Sequence, residues 1–159
     1  PDVIYNRIEY LASGLECRII FLDHLSILLS GLDGDERRMI DSTMTRLRSL
    51  VERTGITLFL VSHLRRSNSD SNSHEEGGRV SLGQLRGSHS ISQISDCVIA
   101  LERDQQSEDS NNTTTVRVLK NRHSGEVGVA TRLDYDLSTC KFYENKTTEQ
   151  PEFDPTVDF

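Results

Sequence analysis

The chain has 159 residues, 35% of them hydrophobic and 27% charged, which suits one buried core with polar loops. No stretch comes near the roughly 20 apolar residues of a membrane-spanning helix, and no secretory signal opens the chain, so no membrane partner is expected. The net charge of −7 argues against binding nucleic acid by bulk charge, but the last sixteen residues hold five acids and one lysine, leaving a body near neutral with basic clusters.

Ile4, Ile8, Leu11 and Leu15 recur at helical spacing and predict an amphipathic helix ending near Gly14. The chain opens at Pro1 and runs almost at once into this helix, as a segment of a larger protein would. Residues 17–22 form an apolar run without polar alternation after Arg18, and read as a buried strand ending at Asp23. Asp35 is placed to cap a helix, with Glu36 favourable in its first turn. Met39, Ile40, Thr43, Leu47, Leu50 and Val51 give that helix one apolar face, and it stops at Thr54-Gly55. Residues 56–61 are the next buried strand, and strand, helix and strand in this order fit a crossover in a mostly parallel sheet.

Residues 65–79 lack a core-forming pattern and read as a mobile polar loop at the carboxyl end of a strand, where open α/β sheets place ligands. A short helix is expected between Ser81 and Ser95, then a strand over 97–101. The segments TTVRVLK and VGVATRLDY flank Asn121-Arg122-His123-Ser124-Gly125 as a hairpin, and Cys140 to Tyr143 can close the sheet. The acidic tail, residues 144–159, is expected to be disordered, so residues 1–143 form the folded part. Cys17, Cys97 and Cys140 have no metal spacing. Cys17 and Cys97 lie in apolar runs and read as buried, reduced thiols, which points to a cytoplasm-like compartment.

A carboxylate just past a buried strand, as at Asp23, can hold Mg²⁺ beside nucleotide phosphates, and it can equally cap the next turn. His63 repeats that placement after the second strand, where a histidine can sense a terminal phosphate or simply close a strand mouth. Arg65 and Arg66 follow at once, and each guanidinium can grip a phosphate of a nucleic-acid backbone. Arg86, Gly87 and Ser88 offer a second set of a guanidinium, a flexible glycine and a hydroxyl. No aromatics interleave with either patch, so backbone tracking is expected rather than base stacking. Lys120 and Arg122 project from the hairpin, where an arginine can neutralise charge developing during phosphoryl transfer in a neighbouring subunit. No GxxxxGK[ST] phosphate loop occurs in the sequence.

Together, IIFLDHLSILLSG, DERRMIDSTMTRLRSL, LVSHLRR, HEEGGRVSLGQLRGSHSISQISD, VIALERDQQ and VRVLKNRHSGEVG resemble the C-terminal half of the helicase domain of DnaB-like ring-forming replicative helicases. The likeness is to the primase–helicases of short-tailed phages, within a group that also holds the mitochondrial Twinkle helicase. The resemblance implies a RecA-like α/β NTPase core, mostly parallel with helices on both faces, here without the portion that carries the phosphate loop. It implies ATP or dTTP with Mg²⁺ as cofactors, single-stranded DNA as a partner, and a homo-oligomeric, hexameric ring. Asp23 would be the Walker B metal acid, His63 the γ-phosphate sensor and Arg122 the arginine finger, with Lys120 beside it. Arg103 and Tyr135 would lie near the nucleotide base. Arg65, Arg66, Arg86, Gly87 and Ser88 would face DNA, and the tail with Asp154, Asp158 and Phe159 would dock a DNA polymerase. The implied location is the cytoplasm, of a host cell if viral, with the mitochondrion as the alternative.

The sequence departs from that pattern in three places. Residues 67–73 carry serine, asparagine and aspartate where the phage proteins carry lysines, and His89 replaces a small residue of an RGSG-like patch. The Walker A loop and the catalytic glutamate of the family are absent and would precede Pro1. Two other readings stay open: a RecA-type recombination or clock-type ATPase, and a non-catalytic module that binds DNA or polymerase.

Overall fold

The structure is a computed structural model that describes residues 2–29, 34–64, 73–74, 76–85, 89–108 and 110–145. It divides into two compact units, Pro1–Arg66 with Ser81–Asp96, and Ser67–Val80 with Cys97–Phe159.

The first unit is built on a parallel crossover. Strand β1, Ile19–Leu22, pairs with β2, Thr57–Leu60, in the register Ile19 to Thr57 through Leu22 to Leu60. Before β1 comes helix α1, Asp2–Ser13, and after it the short α2, Leu25–Leu29. The long helix α3, Glu36–Thr54, connects the two strands. Its ends follow local chemistry: the Asp35 side chain accepts from the Arg37 N–H at 2.9 Å, satisfying an otherwise unpaired donor of the first turn. Gly55, at φ 67°, closes the other end by donating to the Val51 carbonyl at 2.8 Å.

The core of this unit joins Tyr5 and Ile8 of α1, Ile20 of β1, Leu25 and Leu28 of α2, and Ile40, Met44, Leu47 and Leu50 of α3. Arg46 lies 4.0 Å over the Tyr5 ring and donates to Asp2 at 2.8 Å, fastening α1 to α3. Helix α4, His89–Ile94, adds Ile91 to the same core, and Arg48 reaches Asp96 just beyond it at 2.7 Å.

These helices cover one face of the β1–β2 pair. On the other, Phe21 and Phe59 stack at 4.6 Å while remaining 71% and 44% exposed. The two runs expected to be buried throughout are therefore buried on alternate residues, because only the pleat side carrying Ile20, Leu22, Leu58 and Leu60 meets helices.

The second unit is a four-stranded antiparallel meander: β3, Cys97–Arg103; β4, Thr113–Asn121; β5, Gly128–Asp136; and β6, Lys141–Glu144. Parallel pairing is thus confined to β1 and β2 among the described residues, against the expectation of a mostly parallel sheet. The turns that link β3 to β6 are too short for the crossovers that parallel neighbours need. Cys97 is exposed at the start of β3, not buried, because it falls on the outward pleat with Ile99 and Leu101.

A buried ion pair fixes the sheet: Arg117 of β4 donates to both carboxylate oxygens of Glu102 of β3, at 2.9 to 3.1 Å. Glu102 also accepts from the Val80 N–H at 2.8 Å, and Glu76 bridges Asp104. The described end of the segment expected to be a mobile loop is therefore tied down, by these contacts and by the buried Val80 that follows it. The acidic tail from residue 146 onward lies outside the described residues. No described helix is long and apolar enough to cross a membrane.

Candidate functional site

Asp23 and His63 are brought together by the parallel pairing of β1 and β2. Both follow the carboxyl ends of those strands, and the strand ends are laced together: Val61 N–H donates to the Leu22 carbonyl at 3.0 Å, and Leu25 N–H to the Val61 carbonyl at 2.9 Å. Asp23 is exposed, and its side chain has no hydrogen-bond partner among the described residues. His24, the next residue, turns its ring edge toward that of His63, with centroids 4.4 Å apart at 73°. Its Nδ1 is buried without a partner. The contact between His24 and His63 is a product of strand register, and no spacing rule signals it.

Among the described residues no cluster of three or more histidine, cysteine, aspartate or glutamate side chains could enclose a metal ion. A single exposed carboxylate at the end of a strand suits Mg²⁺ nonetheless, since that ion commonly takes one or two protein carboxylates and fills its shell with water and phosphate oxygens.

Leu64, directly after His63, pairs with Leu85 through an isolated antiparallel bridge. The chain leaves Leu64 into Arg65 and Arg66, and leaves Leu85 into Arg86, Gly87 and Ser88. All five of those residues lie outside the described residues, but their points of departure are side by side and adjoin His63.

The remaining predicted residues divide between the two ends of one sheet. At one end, Arg103 Nε donates to the Asn111 carbonyl at 2.6 Å and Tyr135 N–H to the Asn112 carbonyl at 2.9 Å. One turn thus gathers Arg103 and Tyr135. The Tyr135 ring packs on Phe142 at 5.0 Å. A hydrogen bond with Cys140, then partial burial and the nearby Asp136 charge, pushes its phenol above the ordinary value.

Lys120 and Arg122 are at the opposite end. Lys120 pairs with Val98 near the finish of β4, and Arg122 follows in an exposed turn. Strand β4 has nine residues, and at about 3.3 Å per residue its ends are roughly 26 Å apart. Lys120 therefore does not join Arg103 and Tyr135 at one nucleotide position within this sheet. Asp154, Asp158 and Phe159 lie outside the described residues.

A family model for the DnaB-like helicase C terminal domain matches residues 3–144. The DNA helicase/primase of Enterobacteria phage T3 is 42% identical over 139 residues, which are 87% of this chain and 24% of that protein. A probable plasmid replicative DNA helicase of Chlamydia muridarum (strain MoPn / Nigg) is 29% identical over 142 residues, 89% of this chain and 29% of that protein. The chain thus spans under a third of the length of either relative. A solved structure described as "The Structure Of A DnaB-Like Replicative Helicase And Its Interactions With Primase" superposes with a TM-score of 0.70 at 21% identity, covering 87% of this chain and 34% of that one. That likeness extends to the fold, a RecA-like α/β architecture whose parallel part in this chain is the β1–α3–β2 crossover. With the family match running through both units, from α1 to the end of β6, this chain belongs to the DnaB-like helicase C-terminal domain family.

Proposed function

We propose that the chain is the part of a replicative DNA helicase that holds the metal acid, the phosphate sensor and the arginine finger of a ring assembled from identical subunits. The observation that carries this reading is the pairing of β1 with β2, which sets Asp23 and His63 at one strand mouth. The bridge from Leu64 to Leu85 supports a link from that mouth to two basic segments facing single-stranded DNA. Asp23 would hold Mg²⁺, which when bound neutralises phosphate charge during transfer of the γ-phosphoryl group of ATP or dTTP. His63 would donate a hydrogen bond to that phosphate and lose it when the phosphate leaves. The adjoining Arg65 and Arg66, with Arg86, Gly87 and Ser88, would grip the DNA backbone accordingly.

The division of β4 favours a subunit that serves two nucleotides. Arg103 and Tyr135 would cradle the base of one, while Lys120 and Arg122 reach the phosphates of another at the next interface, in a ring of six. The tail residues Asp154, Asp158 and Phe159 would engage a DNA polymerase, and the assembly would work in the cytoplasm, of a host cell if viral.

The test is Arg122→Ala in the complete protein. Loss of an arginine finger lowers turnover about 1000-fold or more, with nucleotide binding nearly unchanged. Turnover and fluorescent-nucleotide affinity measured side by side check it, and normal turnover in that variant removes Arg122 from the finger role.

A further inference from the structure

The turn that presents Arg122 is organised by the residue before it. The Asn121 carbonyl accepts from the Gly125 N–H at 3.0 Å, and Gly125 takes φ 76° to close the loop. The Asn121 side chain does more. Its Oδ1 accepts from the His123 N–H at 3.0 Å and the Ser124 N–H at 3.3 Å, while its Nδ2 donates to Ser124 Oγ at 2.7 Å. Ser124 Oγ in turn accepts from the Glu126 N–H at 3.2 Å.

The two main-chain N–H groups that follow Arg122 thus both end on the residue that precedes it. Asn121 is itself fixed, because it is the last residue of β4 and pairs with Cys97 of β3. An asparagine whose carbonyl oxygen binds the N–H two residues on is a known way of shaping a tight turn. What is particular here is the passenger. A long arginine on a surface turn has many rotamers, and the backbone sets the direction in which its Cα–Cβ bond leaves the chain.

We infer that Asn121 is a positioning residue for Arg122. Its amide locks the backbone of residues 122–124, and so sets the direction in which the guanidinium is delivered to a neighbouring subunit. The inference rests on the reading of Arg122 as a finger. The main-chain bond from Gly125 to Asn121 needs no side chain, so the hairpin of an Asn121→Ala variant still closes, but its tip is no longer held.

The experiment uses the complete protein with single-stranded DNA and compares N121A, N121S, R122A and N121A/R122A. Measurements are kcat and KM for nucleotide hydrolysis, affinity for a fluorescent nucleotide, and thermal unfolding. Misplacing a catalytic group by an ångström or so costs about 10- to 100-fold in rate. N121A is expected to lose that much in kcat, with KM and nucleotide affinity within about twofold of wild type, as for an interaction made only in the transition state. N121S, whose hydroxyl can still accept from the main chain more weakly, recovers part of the loss. The double variant is no slower than R122A alone, since the clamp has nothing left to aim. Should N121A fail to assemble, N121S, which weakens those same main-chain contacts, reads the loss in smaller measure. Wild-type kcat in N121A beside an inactive R122A overturns the inference while leaving the finger in place, and so do independent, multiplicative losses in the double variant. Normal turnover in R122A fells the finger reading, and the inference with it.

Discussion

Glu102 has a side chain only 8% exposed, and it is held by Arg117 and the Val80 N–H, whereas Asp23 stands exposed with no side-chain partner among the described residues. One carboxylate is committed to the fold, and the other is the one proposed above to hold a metal ion. Burial alone would raise the Glu102 pKa, but the hydrogen bonds from Arg117 and Val80 and the Arg117 charge outweigh it, and the group titrates below the usual carboxylate value. A depressed pKa means the folded state holds the ionised form more tightly than the unfolded chain does. Its contribution is complete above the unfolded value of about 4 and disappears as the pH falls through the lower folded one. Denaturant melts of the chain between pH 5 and 3 should show that loss, and Arg117→Ala should abolish the pairing part of it. At neutral pH that variant leaves a partly buried carboxylate without its counter-charge and held by the Val80 N–H alone, at a cost of about 1–3 kcal/mol. Asp23→Asn is isosteric and breaks no described side-chain contact, so its melting temperature should match wild type. In the complete protein, however, metal-dependent nucleotide hydrolysis should fall by about two orders of magnitude or more, in line with loss of a group that stabilises phosphoryl-transfer charge. A shifted melting temperature in D23N with intact turnover would reverse the division between the two acids.

At the scale of elements, what could be read in advance tracks how local the cause is. Helix α3 was legible because its start, its apolar stripe and its stop are written within its own length at Asp35, Ile40 to Leu50, and Gly55. The β4–β5 hairpin was legible for the same reason. The runs IIFL and CVIAL were legible as strands but not in their burial, because their residues are apolar on both pleat faces and only the neighbours decide which side is covered. That decision left Phe21, Ile99 and Leu101 exposed and put Cys97 outside. Residues 73–79 looked structureless because they lack aliphatic pattern, yet the bridge from Glu76 to Asp104 and the bond from the Val80 N–H to Glu102 fasten them across the sequence. The strand mouth of Asp23 and His63 was foreseen from two separate strand ends. The bridge from Leu64 to Leu85, and the distance that β4 puts between Tyr135 and Arg122, are matters of topology that no single motif carries.

For the molecule as a whole, the proposed reading of Asp23 as a metal acid and Arg122 as a finger assigns pieces of a phosphoryl-transfer site to a sequence that contains no GxxxxGK[ST] loop to cradle the phosphates. The 159-residue chain, purified alone with Mg²⁺, nucleotide and single-stranded DNA, should therefore release no phosphate above background. Turnover in that preparation would mean that the phosphates are held by residues other than a P-loop. The stacked Phe21 and Phe59 add a different consequence. Helices α1, α3 and α4 finish one side of β1 and β2 and leave the aromatic side uncovered. The isolated chain should therefore self-associate as its concentration rises, and light scattering at increasing concentration checks this.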